Sequence, residues 1–404
     1  MLKTEETELT ASSRTPGGGA RRILLACCTT HLVTDGLIAA VYPLLPLIAL
    51  DLQINYTGVG ALRTALAGSS SLLQIPAGFL ADRVSEETLL GAGMLWLSVG
   101  FAPLALAAGF WPLLILITAA GVGGNVQHPV ATAIVSRVYE SSGRGTAVSS
   151  LNFAGDLGKV ILPALAGVVA VTCGWRGAVL VLSAVGVVAS IGYGLAVRRT
   201  TSSARAVGSA GAEKTSGWGI QRPFGFALLS IIGMIDNSTR TAVLTFLPFL
   251  MTDKGLDAAR VSFLLTLIFA CGAAGKLGCG LLADHFGNVG VILITEAITA
   301  LSILAVIPVD PILLIPVLVA FGFVLNGTSS ALYSAVAEMV HLDRRARGYG
   351  LFYTLSLGFG TLAPVLYGAV ADAVGVPGSF VAMAVVTLAT LPMAFLMGRG
   401  DGKQ

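Results

Sequence analysis

Charge is what this sequence has least of. Asp, Glu, Lys and Arg make up 11% of its 404 residues, against about 25% in soluble domains. That is too little to cover the polar surfaces of the two or three soluble domains a chain this long would otherwise form. The net charge of +3 excludes a nucleic-acid-binding face and a self-repelling disordered chain. Cysteine is sparse: Cys27, Cys28, Cys173, Cys271 and Cys279 show no CxxC or Cys/His ligand spacing, which excludes a disulfide framework and a metal centre. No phosphate-binding glycine loop and no Ser/His/Asp arrangement stands out, so neither enzyme chemistry nor direct ATP drive is expected, and no cofactor. Aromatics, at 7%, argue against a large stacking cavity for bulky drugs. Glycine is abundant but has no triplet period, which excludes collagen.

What remains is apolar: 55% of the residues are hydrophobic and the mean hydropathy is +0.86. The apolar residues form long continuous runs, where a membrane β-barrel would alternate in units of about 10 residues. Twelve runs approach the roughly 20 residues a span needs, at 23–50, 57–81, 89–109, 111–136, 145–172, 177–197, 224–251, 261–283, 289–308, 312–337, 348–371 and 379–398. Residues 1–22 are polar and end in Arg21 and Arg22; without an apolar core they read as a cytoplasmic tail, not a signal peptide. The polar segment 198–223 reads as a cytoplasmic linker between two six-helix bundles, 23–197 and 224–398, with 399–404 as a short tail. With the N-terminus inside, 17 of the 24 Lys and Arg fall on the cytoplasmic side, and three (Arg176, Lys254 and Arg260) on the outer side. This asymmetry predicts a multi-pass protein of a cell membrane, inner or plasma, with both termini cytoplasmic.

The halves repeat. A shift of 202 residues places Pro46 on Pro248, Asp51 on Asp253, Thr64 on Thr266 and Gly78 on Gly280, and Ala81–Asp82 on Ala283–Asp284, without a gap. Parallel six-helix repeats are an architecture of secondary transporters. The expected fold is therefore all-α and polytopic, with twelve transmembrane helices in two six-helix repeats.

The second run ends Gly78-Phe79-Leu80-Ala81-Asp82-Arg83, and its repeat reads Gly280-Leu281-Leu282-Ala283-Asp284-His285. Both resemble the G-x-L-A-D-R loop signature of the major facilitator superfamily. The resemblance implies a gating role for Gly78, Asp82, Arg83, Gly280 and Asp284. Glycine there permits close helix approach, and the acids pair with a neighbouring arginine or a helix N-terminus. Arg144 and Arg347, before Gly145 and Gly348, belong to the same expected gate. After Arg83 the sequence departs from the family, with Val84-Ser85-Glu86-Glu87 in place of a Gly and basic cluster. A narrower likeness runs through His31-Leu-Val-Thr-Asp35-Gly36, Tyr42-Pro43-Leu44-Leu45, Gln74-x-Pro76-x-Gly78, His128-Pro129 and Gly143-Arg144-Gly145. It is similar to the fosmidomycin-resistance branch, which implies drug:proton antiport. Val130 stands where that branch often has an acid, and Leu162 precedes Pro163 where it carries a Gly-Pro pair.

Charge at membrane depth is costly and usually faces a cavity. Asp35, Asp156 and Asp236 lie about 16–18 Å along their helices from the cytoplasmic end, near the midplane of a ~30 Å core. His31 and Asp35 are i,i+4, Asp156 and Lys159 i,i+3, and Asp236 and Arg240 i,i+4. Each pair shares a helix face and can neutralise itself. The expected proton-coupling groups are Asp35, with His31 as its one titratable helix-face partner, and Asp156 and Asp236. The expected substrate contacts are Asn125, His128, Lys159, Asn237, Arg240, Lys276 and Asn326; Arg offers an anion a bidentate fork. Asn237 is the repeat position of Asp35. Pro129 is expected to kink the fourth helix beside the site. Arg63 is expected to snorkel to the outer surface, Glu296 to be peripheral, and Glu140 and Glu338 to pair with loop arginines.

The leading expectation is proton-coupled export of a small amphipathic or anionic compound by alternating access. The alternatives are proton symport of an organic anion and, more remotely, a non-transporting receptor on the same scaffold. The partners expected are a small-molecule substrate, protons and the lipid bilayer, with no nucleic acid and a monomeric state.

Overall fold

The computed structural model describes residues 18–72, 84–124, 127–139, 143–198, 218–341 and 344–399. Among them eleven α-helices form: α1 (Gly18–Leu52), α2 (Tyr56–Leu72), α3 (Glu86–Phe101), α4 (Phe110–Gly121), α5 (Gln127–Val138), α6 (Arg144–Arg198), α7 (Pro223–Asp253), α8 (Ala258–Ala305), α9 (Pro311–Met339), α10 (Arg345–Leu388) and α11 (Thr390–Arg399). The one β-type pairing among these residues is an isolated bridge between Ile220 and Val340. An all-helical solution is what a hydrocarbon solvent demands, because a helix satisfies its own backbone polar groups.

Three helices are each two passes folded back at one glycine. α6 reverses at Gly174 (φ 66°), α8 at Gly287 (φ 72°) and α10 at Gly375 (φ 79°). That left-handed backbone is cheap for glycine and costly for other residues. Counting the folded pairs, and joining α4 to α5 and the end of α10 to α11, the chain makes the twelve expected passes. The second is described to Leu72. α1 is helical from the first described residue, Gly18, within the segment read as a tail, and Arg21 and Arg22 are exposed on it. Residues 199–217 of the expected linker lie outside the described residues.

The fourth pass is discontinuous. α4 ends at Gly121, the Gly124 N–H closes a turn on the Gly121 carbonyl at 2.8 Å, and helix is described again from Gln127. Helix is thus interrupted within the glycine-rich 121–124 segment, and Pro129 lies in the helix described beyond it.

Large apolar side chains such as Ile115, Val168, Val188 and Leu366 point outward. A soluble monomer rarely exposes such a belt; lipid accepts it. Inside, small residues let backbones approach. A Cβ on Gly158 of α6 would lie 2.9 Å from the Leu32 Cα of α1, and one on Gly275 of α8 would lie 3.0 Å from the Phe323 Cα of α9.

The two halves are clasped at one end. Asp372 in α10 caps α2, accepting from the Tyr56 N–H (2.8 Å), the Thr57 N–H (2.9 Å) and the Thr57 hydroxyl (2.5 Å). The Thr64 hydroxyl donates to the Thr361 carbonyl at 2.7 Å, and the Thr266 hydroxyl to the Val160 carbonyl at 3.2 Å. These ties lie toward the 52–56 and 254–258 loops. Toward the other end Phe153, Leu157, Leu277 and Leu281 are exposed. Asp372→Ala removes a helix cap that exists only in the clasped state. Loss of such a cap costs about 1–2 kcal/mol, a shift of roughly five- to thirtyfold in the opening equilibrium. Faster thiol labelling of a Thr361→Cys reporter in that background is the expected reading.

Candidate functional site

Four helices bring polar side chains to one place at mid-depth. From α1, His31 and Asp35 project one turn apart, with His31 Nε2 3.5 Å from Asp35 Oδ2. From the start of α5, Gln127 donates its amide to Asp35 Oδ1 at 3.3 Å, and His128 Nε2 lies 3.4 Å from the same oxygen. From α6, the Lys159 ammonium is 2.9 Å from Asp35 Oδ2 and 3.3 Å from Asp156 Oδ1. From α8, Lys276 donates to both Asp156 oxygens at 2.8 Å. The result is a chain of alternating bases and acids, His31–Asp35–Lys159–Asp156–Lys276, whose last link crosses between the halves. Gly155 makes room for it: a Cβ there would lie 2.6 Å from the His31 ring and 2.9 Å from Asp35 Oδ2.

The chain borders a cavity of about 300 Å³. Asp35, His128, Asp156 and Lys159 line it from one half, and Arg240, Lys276 and Asn326 from the other. Ile38, Leu244 and Phe269 give it an apolar wall. Arg240 pairs with Asp236, as their spacing predicts.

Several sequence expectations change here. Asp35 does not face a histidine alone. Lys159 lies closer to it than either imidazole, because α6 packs against α1 at Gly158 and carries Lys159 in beside it. Asp156 shares Lys159 with Asp35, and its two-pronged partner is Lys276. Lys159, Arg240 and Lys276, expected to receive an anion, each already hold a carboxylate. Asn237 does not line the central cavity; its amide donates to the Ser356 carbonyl at 2.9 Å and joins α7 to α10. Arg63 does not snorkel. It is 5% exposed, stacks 4.0 Å over the Tyr42 ring and donates to the Tyr42 hydroxyl at 2.7 Å. Burial against α1 replaces the expected reach to the surface. Glu338 accepts from Asn288 at 2.6 Å.

Of the expected gate, Gly78, Asp82 and Arg83 lie outside the described residues, as do Asn125 and Glu140. Arg144 and Arg347 are exposed. Asp284 is exposed, with no ion-pair partner among the described residues, and a Cβ on Gly280 would meet nothing within 4 Å.

His31, Asp35 and His128 place three ligand-type atoms within 4.8 Å of one another. Two imidazoles and a carboxylate suit a transition metal in type, but the Lys159 ammonium already holds the cation position at Asp35. Sequence reading missed Gln127 and the burial of Arg63 and Glu296. Gln127 had a signal, as a second polar residue beside His128 in an apolar run.

The sequence profile of the Major Facilitator Superfamily matches residues 27–235 and 227–403. The chain is 26% identical over 392 residues to an uncharacterized MFS-type transporter, YfnC, of Bacillus subtilis (strain 168), an alignment covering 95% of this chain and 94% of that one. It is 28% identical over 159 residues to the fosmidomycin resistance protein of Escherichia coli (strain K12), covering 39% of each. Its fold superposes with a TM-score of 0.80 and 17% identity on a bacterial homolog of the human lysosomal transporter Spinster, covering 95% of this chain and 98% of that one.

Proposed function

The chain belongs to the major facilitator superfamily, and from that premise we propose that it is a proton-coupled exporter of a small amphipathic or anionic compound. It is a multi-pass membrane transporter and not an enzyme; coupling, direction and substrate class are our reading. The observation that carries it is the ion pair between Asp156 of one half and Lys276 of the other, at the floor of the mid-depth cavity.

Alternating access needs the two halves to rock about a central site. A two-pronged ion pair between them resists that motion. A proton on Asp156 weakens the pair by removing its negative charge. An anionic substrate group weakens it by taking the Lys276 ammonium. Proton and substrate thus act on one bond, which supports coupling. The apolar wall of Ile38, Leu244 and Phe269 opposite this charged rail suits an amphipathic molecule. Asp35, held by His31 and Gln127, keeps Asp156's neighbour Lys159 in place, and Asn326 completes the wall. Asp236 and Arg240 bring a second carboxylate–base pair to the cavity from α7.

The clasp at the 52–56 and 254–258 loops and the arginines near the other end support a cytoplasm-open state with both termini inside the cell. The resistance named for one relative supports export. The test uses everted, respiration-energised vesicles containing the protein. Small phosphonates, organic acids and lipophilic drugs are added in turn while the pH gradient is followed. The expected result is gradient dissipation by one class of compound, lost in Asp156→Asn. Accumulation in right-side-out vesicles under an inward proton gradient, with no response in everted ones, would replace export with symport.

A further inference from the structure

The charges of the two halves do not balance in the same way. Around the cavity Asp35 and Asp156 face Lys159 and Lys276, two acids against two bases in contact. That cluster is neutral with no proton to spare. Behind Arg240 a different set is buried. Asp236 is 6% exposed and pairs with Arg240. Glu296, in the second pass of α8, is 1% exposed, and neither of its carboxyl oxygens has a hydrogen-bond partner. Asp236 and Glu296 are two acids with one base, Arg240, acting on both.

Resting on the proton-coupled reading above, we propose that the C-terminal half stores one exchangeable proton on Glu296.

A bare carboxylate with no donor is the costliest form of this side chain at membrane depth, and the neutral acid the cheapest. The groups facing Glu296 agree. From α7, Asp236 and Arg240 act on it electrostatically, and Arg240 is already paired. From α11, Thr390 faces it. The Thr390 hydroxyl donates to the Thr387 carbonyl of its own chain segment at 2.6 Å and completes no hydrogen bond to Glu296. From α9, Tyr333 faces Arg240 and Asp236 and lines a small cavity together with both and with Tyr353.

The link to the transport site is Arg240, which acts on Glu296 electrostatically and also lines the central cavity. An anionic group that draws the guanidinium toward the cavity makes a charge on Glu296 costlier still, and one that leaves the guanidinium in place makes release of the proton easier. Asp35, expected from sequence to be the carrier, is paired with Lys159.

The test is infrared difference spectroscopy of the full-length protein reconstituted in lipid, titrated with pH. The expected spectrum contains the carbonyl stretch of a protonated carboxylic acid at neutral pH. Glu296→Gln loses that band and Asp35→Asn keeps it. Glu296→Asp, a milder change that guards against misfolding, keeps an acid band with a displaced pH midpoint. A band that survives in Glu296→Gln, or disappears in Asp35→Asn, overturns the proposal. In vesicles Glu296→Gln is expected to retain substrate counterflow and lose proton-driven accumulation. If the wild-type protein shows no proton coupling, the exporter reading fails by itself, and the infrared band still decides where the proton resides.

Discussion

Asp156→Asn is expected to abolish coupled transport while leaving a folded, membrane-inserted protein. The substitution removes the negative charge that Lys276 and Lys159 share and one of the two oxygens that accept from Lys276. Breaking a fully buried ion pair costs about 3–5 kcal/mol. Lys276 is 38% exposed, so water compensates in part, and about 2 kcal/mol is the better expectation. That is roughly a thirtyfold change in the equilibrium between the tied and untied states. Because the tie joins the halves, the change appears as altered accessibility of the cavity. Lys276→Gln alone leaves Asp156 with Lys159 and is expected to be milder. The double variant Asp156→Asn/Lys276→Gln buries no unpaired charge, so it is expected to recover the stability of the parent without its coupling. Thermal unfolding and substrate counterflow, measured on all four proteins, give the coupling energy of the pair. A near-zero coupling energy would remove this bond from the transport cycle.

The second large effect is expected at Gly60, far from the charges. A Cβ on Gly60 of α2 would meet the Pro364 carbonyl group and lie 2.7 Å from the Val365 Cα of α10. These are backbone atoms, so no rotamer change relieves the contact. Overpacking costs about 1–3 kcal/mol for each added group or two, and Leu adds several. The clasped state should be lost while each half keeps its own fold. Gly60→Leu is expected to stop net transport, retain ligand binding, and leave Thr361→Cys open to labelling from the 52–56 loop side. Gly60→Ala should fall between. Unchanged labelling in Gly60→Leu would show that the clasp is not the moving contact.

Several elements were legible in the chain before any coordinates. The spans and the repeat are one-dimensional patterns. The three reversals fall at Gly174, Gly287 and Gly375 because a tight turn between two helices needs a positive φ there. The in-helix pair Asp236–Arg240 was also predictable, since a 3.6-residue period puts i and i+4 on one face. The fourth pass is also interrupted close to His128, at glycines a few residues earlier.

The partners across helices were not legible. Lys159 at Asp35, Lys276 at Asp156, Arg63 on Tyr42 and the isolation of Glu296 all depend on how each helix is rotated about its own axis. Periodicity leaves that angle open in a chain apolar on nearly every face. It is set where small residues let two backbones touch, as Gly158 does at Leu32 and Gly275 at Phe323. By itself the sequence determined how many times this chain crosses the bilayer, where it turns and which charges reach mid-depth, because length, hydropathy and period are local properties. Tertiary structure alone decided which of those charges meet and which acid is left without a partner, because helix rotation is a property of packing.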